Sequence, residues 1–559
     1  GGAYTINMLE EIKKYVDKYK RSPTIVIDLF TTLYMLDPGG REVLASGRHI
    51  LLQKRAENCF QTLIDTGAQL VFFYDGPLKD KKLRKWAESA NEKYQRYQVV
   101  FEANRSSTEV DPFEIPNVMT LYYSSYLITA KKFGKVYVSL KNECDSDMAI
   151  FASKVRALAI ISGDTDFLIF PGNWRIWTTE RFNVDTFQTI EWNKANLRKS
   201  LMLEQNFMPI FATMCGNDFM RKECVQHIRY EICKGRFQPR LAELIRRLCP
   251  NGAPISENER KKLLDLIKRN QKTEYSEEEI EKFFDDSLNF YYCPDQQMGG
   301  ISPAWLREYI LKTQFTIVFI IIRNVPIVLP QPYIDAQQPN MKQFCDLALP
   351  LFRRQLGVVL RNKDSSHKHE VWFKPNHDDP FDRRFVELIK PSIAIPSIED
   401  ILTSEDMKIE KKLDILSDII LPGNIKFRKK LQLLDMNQAI FVPVLKICYL
   451  KEHNQISIDE ADVLLLSIHE SYIMDNETRY KVIPPKVFDP KAFWIGMVYN
   501  QITTIFLNCL VVSGLHDFVQ PEIFDGYVFH KMHSKFFEKS SEEKNALIEP
   551  IKPIRIYAI

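Results

Sequence analysis

The chain has 559 residues, 45% hydrophobic and 26% charged, with a formal net charge of +3. That length predicts two or three domains with ample core, and the near-neutral balance excludes a protein that grips polyanions by overall charge, so any such affinity must come from local basic patches. The ten cysteines are scattered without a CxxC pair, which excludes a zinc framework and predicts an intracellular, reducing location, cytoplasmic or nuclear, with no membrane partner.

In chain order, Gly1-Gly-Ala-Tyr-Thr5 does not resemble a signal peptide, and the missing initiator Met points to a truncation or a tag remnant. Residues 6–20 alternate apolar and charged positions as an amphipathic helix, stopped near Ser22-Pro23. Thr24–Ile27 reads as a short strand ending at Asp28, 51–66 as a helix, and Ala68–Tyr74 as a strand ending at Asp75-Gly76-Pro77. A long basic helix follows from Lys79 to about Tyr97. Leu121–Phe133 is a further helix, leading to the strand Lys135–Val138. Glu143, Asp145 and Asp147 then open a helix whose Met148, Ala149, Ala152 and Val155 recur at helical spacing, with Asn142 as its expected N-cap. The apolar run Leu158–Ile161 ends at Gly163-Asp164-Thr165-Asp166. Asn206–Met214 is a helix running into Gly216-Asn217-Asp218. Strands alternating with helices predict an α/β fold, a parallel sheet with flanking helices.

From about Cys224 onward the pattern predicts helices only. Leu241–Leu248, Glu259–Arg269 and Glu277–Tyr291 are amphipathic, the first two rich in Lys and Arg. Phe315–Ile322 is too short to cross a bilayer and reads as core. Helices are expected over 340–362, 408–420, 427–450, 458–473 and 492–515, with 363–382 a solvated loop. The expected domains are 1–235, an α/β domain; 236–300, a basic helical extension; and 301–559, a mostly α-helical C-terminal domain.

Seven carboxylates, Asp28, Asp75, Glu143, Asp145, Asp164, Asp166 and Asp218, fall at predicted strand ends or helix starts. Any one of them could be a turn or cap residue. As a set they would meet at the carboxyl edge of a parallel sheet, where such folds bind ligands. Like charges 4 Å apart at intermediate dielectric repel by roughly 4 kcal/mol per pair, and only protonation or bound cations relieve that. Oxygen ligands without histidine favour Mg²⁺ or Mn²⁺ over Zn²⁺. Seven are enough for two ions, which about 4 Å apart would activate water and stabilise the leaving oxygen of a phosphodiester. Asp147 is expected outside the set.

Ile25-Val-Ile-Asp28, Phe72-Phe-Tyr-Asp-Gly76, Glu143-Cys-Asp145, Gly163-Asp-Thr-Asp166 and Gly216-Asn-Asp218 resemble the acidic blocks of the XPG/flap endonuclease superfamily, which implies a PIN-like α/β fold and makes 1–235 a nuclease-like domain. Pro23–Asp28, Trp86, Gly163–Ile169 and Phe524-Asp-Gly-Tyr-Val-Phe529 are similar to its branch containing Asteroid and the constitutive coactivators of PPAR-gamma. The resemblance implies one ion held by Asp75, Glu143 and Asp145, with Asp28 reaching it through water, and a second held by Asp164, Asp166 and Asp218. It also implies that Lys82 contacts the scissile phosphate, with Lys81, Arg84 and Lys85 around it on a nucleic-acid-facing helix. The superfamily's N-terminal Met-Gly-Ile/Val-x-Gly-Leu segment is absent. Phe219-Met-Arg-Lys-Glu-Cys lacks the glycines of a duplex-gripping hairpin, which shifts the expected substrate to single-stranded RNA or DNA. The expected function is thus a metal-dependent nuclease using two ions. The alternative is a nucleic-acid-binding scaffold or coregulator, with a protein partner on the helical C-terminal domain. Trp86 is expected as a core anchor, Phe290-Tyr291-Tyr292 as core, and His367, His369 and His377 as surface-loop residues.

Overall fold

The structure, a computed structural model, describes residues 3–36, 42, 45–106, 122–228, 237–269, 275–292, 303–329, 335, 337, 344–376, 378–485 and 489–559. The chain forms two compact units that interleave along the sequence. One comprises 1–35, 60–75 and 134–300; the other comprises 36–59, 76–133 and 301–559.

The first unit is built on a seven-stranded sheet: β1 (Ala3–Asn7), β2 (Thr24–Asp28), β3 (Gln69–Asp75), β4 (Gly134–Ser139), β5 (Ala159–Ile161), β6 (Arg175–Trp177) and β7 (Gln188–Trp192), in the order β1-β7-β6-β5-β2-β3-β4. Strands β4, β3, β2, β5 and β6 run parallel, while β7 and β1 are antiparallel additions at one edge. Central strands of a parallel sheet are covered on both faces and read as unbroken apolar runs. Ile25, Val26, Ile27, Ile160 and Ile161 are accordingly buried. Gly134 answers a close approach: a Cβ there would lie 2.3 Å from the Leu70 carbonyl oxygen on the adjacent strand.

The flanking helices are α1 (Met8–Tyr19), α2 (Leu29–Leu36), α3 (Cys144–Val155), α4 (Lys194–Leu201), α5 (Met208–Cys215), α6 (Lys222–His227), α7 (Phe237–Leu248), α8 (Glu257–Lys268) and α9 (Glu277–Tyr292). The first helix begins two residues later than its periodicity predicts. Residues 3–7 pair with β7, and the Asn7 carboxamide oxygen then caps α1 by accepting from the Leu9 and Glu10 amides at 3.0 and 3.2 Å. Helix α3 is entered through Glu143 rather than Asn142, whose side chain instead donates to Asp147 at 2.8 Å. Helices α7, α8 and α9 share one hydrophobic core with α3, β5 and the Phe167–Phe170 segment. Several of their basic groups are paired: Arg260 with Asp285 and Glu281, and Lys268 with Glu277 and Glu281.

The second unit is mostly helical but contains a three-stranded sheet, β10-β9-β8, of β8 (Ile327–Val328), β9 (Lys368–Phe373) and β10 (Asp382–Glu387). The expectation of helices alone beyond Cys224, and of a solvated loop over 363–382, is therefore corrected. Charged residues at the start of 363–382 hide the alternation of β9, in which His369, Val371 and Phe373 point inward. His369 is fully buried, its Nε2 3.0 Å from the Val325 carbonyl oxygen, so it is not a surface-loop residue. His367 lies in the turn before β9, and His377 lies outside the described residues. The helix expected over 427–450 is two, Ile425–Leu433 and Phe441–Glu452, and that over 492–515 is also two, Pro490–Gln501 and Thr503–Val512. Pro490–Val512 is apolar enough to cross a membrane, yet 89% of its most apolar window is buried inside the protein. Trp86, on the helix Asp80–Arg105, packs edge-on against Phe381 with ring centroids 4.8 Å apart.

Deep in this unit the Lys446 ammonium meets the Glu522 carboxylate, with Thr503 Oγ1 at 2.7 Å and the Tyr499 ring centroid at 3.5 Å. Desolvation pulls the Lys446 pKa down to about 8, against the attraction of Glu522. Removing one member of such a pair leaves a buried, unpaired charge and costs about 3–5 kcal/mol. Lys446→Met is therefore expected to lower the urea midpoint strongly, and Lys446→Met/Glu522→Leu to recover much of the loss. A single variant as stable as the wild type would show that the pair is not the constraint described.

Candidate metal centre

Strand order around β2 creates the site. The chain proceeds from β2 outward through β3 and β4, then returns to the other side of β2 as β5. At such a reversal the connections leave the strands in opposite directions and open a crevice at their carboxyl ends. Asp28 ends β2, Asp75 ends β3, Asp145 lies in the first turn of α3 after β4, and Asp164 and Asp166 follow β5.

Asp145, Asp164 and Asp166 converge, each offering an oxygen within 4.8 Å of the others, and all three are half-buried. Burial, first, and then the charges of Asp164, Asp28, Asp75 and Asp166 push the Asp145 pKa well above the usual carboxylate range. The neighbouring Cys144 thiol is pushed up by burial and by Asp75, Asp28 and Asp145, which places Asp28 and Asp75 in the same electrostatic neighbourhood.

Asp28 is buried and has polar contacts at both oxygens. Oδ1 accepts from the amides of Phe30 and Thr31 at 3.1 and 3.2 Å, capping α2, and Oδ2 accepts from the Ser162 hydroxyl at 2.8 Å. Burial raises its pKa, and these hydrogen bonds oppose the rise. Ser162 Oγ also receives the Asp164 amide at 3.1 Å, and Asp164 Oδ1 receives the Asp166 amide at 2.8 Å. A chain of short-range bonds thus runs from Asp28 to Asp166. Gly163 is required within it, because a Cβ there would stand 2.9 Å from Thr179 Oγ1.

Glu143 and Asp218 stand outside the converging trio. Glu143 is the N-cap residue of α3 without a side-chain cap bond, and Asp218 is exposed in the bend after α5. Asp147 is bonded to Asn142. Lys82, Arg84 and Lys85 belong to the second unit, on the helix Asp80–Arg105. There Arg84 is highly exposed and pairs with Glu88 at 3.3 Å, and Lys85 is exposed. Lys81 lies on the same helix.

Sequence reading missed two members of the site. The Tyr291 hydroxyl on α9 donates to Asp166 Oδ1 at 2.7 Å, and Asn217 Nδ2 lies 3.2 Å from that hydroxyl. Of the Phe290-Tyr291-Tyr292 run expected as core, Tyr291 is buried and Phe290 packs against the core, whereas Tyr292 is exposed; no periodicity marks the polar end of a core tyrosine. Asn217 was visible only as a turn residue beside Asp218.

The donor set suits a hard divalent cation: carboxylate oxygens only, close enough to repel, with the Asp145 pKa raised by burial and by its acidic neighbours.

No protein-family profile matches the chain. In sequence it is 25% identical over 221 residues to the constitutive coactivator of peroxisome proliferator-activated receptor gamma from Bos taurus, covering 38% of this chain and 30% of that protein. Over this stretch the chain is similar to the coactivator. This is the branch of the XPG-like superfamily that its acidic blocks resemble. The match spans less than a third of the coactivator's length. Similar solved structures include the catalytic core of Rad2 in complex with DNA substrate, at 18% identity, 51% of this chain and 77% of that chain, with a TM-score of 0.29. The Holliday junction-resolving enzyme GEN1 in complex with product DNA and Mg²⁺ matches at 13% identity, 69% of this chain and 92% of that chain, with a TM-score of 0.32. The fold described above rests on the sheet order and not on these superpositions.

The raised Asp145 pKa gives a directional test. Between the ordinary carboxylate range and that raised value the folded state binds more protons than the unfolded state, so stability falls as pH rises through the window. In EDTA, the protein should gain stability on acidification from neutrality toward the ordinary carboxylate range. Asp145→Asn should melt higher than the wild type at neutral pH, with a flatter pH profile. Mn²⁺ should raise the wild-type melting temperature and leave the variant nearly unmoved. A metal-free Asp145→Asn protein that melts lower than the wild type would contradict the repulsion.

Proposed function

We propose that the first unit is a divalent-metal-dependent phosphodiesterase site acting on single-stranded RNA or DNA, in an intracellular protein. The observation that carries this reading is the convergence of Asp145, Asp164 and Asp166 within 4.8 Å at the reversal point of the sheet. These three would hold Mg²⁺ or Mn²⁺, with Asp75, Glu143 and Asp218 completing the ligands of two ions and Asp28 acting through water. Bound there, the ions would supply Lewis-acid activation of water and charge stabilisation at the phosphate. The chain's own residues hold the acids in place: the Asp28–Ser162–Asp164–Asp166 bonds fix the ligand oxygens before any ion arrives. Lys82, with Lys81, Arg84 and Lys85, would attract the phosphodiester backbone electrostatically. The domain reading that accompanies this function keeps 1–235 as the nuclease-like part, 236–300 as its helical extension and 301–559 as the partner-binding part.

A second reading is favoured by the matched relatives, which are named as coactivators. In it, the α/β unit is a nucleic-acid or protein platform with little or no catalysis, and the helical unit docks a protein partner.

One assay separates them. Labelled single strands of RNA and DNA are incubated with Mn²⁺ or Mg²⁺ and either wild type or Asp164→Ala/Asp166→Ala. Cleavage that needs the ion and is abolished in the variant supports the nuclease. Absence of cleavage on every strand, with binding that persists in EDTA and weakens on neutralising Lys81, Lys82 and Lys85, supports the scaffold.

A further inference from the structure

The hydrogen bonds around Tyr291 have only one consistent direction. Asn217 Oδ1 accepts from the amides of Phe219 and Met220 at 3.0 and 2.8 Å, so the other end of its carboxamide is the NH₂. That NH₂ can only donate, and it does so to Ser287 Oγ at 2.8 Å and to the Tyr291 hydroxyl at 3.2 Å. The single hydroxyl proton of Tyr291 is then directed at Asp166 Oδ1, 2.7 Å away. Ser287 lies one helical turn before Tyr291 on α9 and also bonds Thr213 Oγ1 on α5 at 2.7 Å.

The ring of Tyr291 is locked as firmly as its hydroxyl. It is 1% exposed, packed at 5.4 Å from Phe170 and 4.9 Å from Phe290. Phe170 lies one turn beyond Asp166 on the same segment, so ring and hydroxyl grip that segment at two points. Through Asn217 the same chain holds the bend that carries Asp218.

From this geometry we infer that Tyr291 is a positioning residue for the metal centre, and that ion binding is coupled to the seating of α9. The inference rests on the proposed metal site and deepens it. The hydroxyl engages Oδ1 of Asp166 and stops the carboxylate from rotating, so that its metal-facing lone pairs are pre-aimed. Partners of this kind behind a ligating carboxylate set ligand orientation, and their loss typically costs about 10- to 100-fold in metal affinity or activity. The helix otherwise read as an extension of the α/β domain is thereby a working part of the site.

The test is a Mn²⁺ titration followed by thermal shift, on the full chain, for wild type and Tyr291→Phe. The variant keeps the ring and its packing and loses only the hydroxyl. The expected result is a half-saturating Mn²⁺ concentration raised about 10-fold or more, with the melting temperature in EDTA changed little by comparison. An unchanged half-saturation in the variant, with or without a lower metal-free melting temperature, assigns the hydroxyl a structural role and overturns the inference alone. A wild type that binds neither Mn²⁺ nor Mg²⁺ overturns the metal site and this inference with it. Should Tyr291→Phe fail to fold, hydrogen exchange on the wild type decides. Amides of Glu277–Tyr292 that slow when Mn²⁺ is added support the coupling, and amides indifferent to an ion that demonstrably binds overturn it.

Discussion

Carboxylate repulsion at the crevice beside β2 is the constraint on which the first unit depends. Asp145, Asp164 and Asp166 lie within reach of one ion, and Asp28 and Asp75 add their fields to the same volume. A fold that gathers negative charge in a half-buried place must hold each acid by something other than charge. Here amides and hydroxyls do so: α2 is capped by Asp28, Ser162 bridges Asp28 to the Asp164 turn, and Tyr291 reaches across from α9 to Asp166. These bonds are made to the ionised form and lower its cost, although in Asp28 and Asp145 burial still dominates.

How much of this was legible in the sequence follows from what kind of signal each part leaves. Strands β2, β3, β4 and β5 were readable because a buried parallel strand is a continuous apolar run, and each ends in an acid or a turn. Strands β1, β6 and β7 were not. They are three to five residues long, and β1 is mostly solvent-facing, so they carry neither an apolar run nor a clear alternation. Strand β9 failed differently, since its inward His369 counted as polar, though the fold buries it completely. The helices that were expected are present, with differences at their ends and breaks, while others, among them Leu29–Leu36, Lys194–Leu201 and Gly526–Phe537, were not anticipated. Ile502 and the 434–440 connection interrupt helices without a glycine or proline at the junction itself to announce it.

The site shows the same division. Asp145, Asp164 and Asp166 were accessible to sequence reasoning because acids after apolar strands are unusual in combination. In the structure each offers an oxygen within 4.8 Å of the others. The bonding roles of Ser162, Thr31, Asn217 and Tyr291 were invisible because side-chain hydrogen bonds between distant segments have no period and no spacing. The second unit makes the same point with charge. Lys446 and Glu522 are 76 positions apart and would pass for surface residues, yet they are buried against each other, with the Tyr499 ring over the ammonium.

A basic helix in sequence is not a basic surface in the fold. Helix α8 was counted among the Lys- and Arg-rich helices, but Arg260 and Lys268 are tied to acids of α9, so these charges hold two helices together and are poorly placed to meet a phosphate backbone. The helix Asp80–Arg105 differs, because its Arg84 and Lys85 face solvent. Pairing therefore marks Arg260 and Lys268 as groups that fasten α9. The fastening set bears on the metal centre indirectly, since the helix that Arg260 and Lys268 hold is the one whose last turn carries the hydroxyl bonded to Asp166. Charge pairs over Glu277–Asp285 and the hydrogen bonds of Ser287 and Tyr291 beyond them thus hold α9 along its length, and the acidic cluster receives part of its order from a helix that contributes no carboxylate to it.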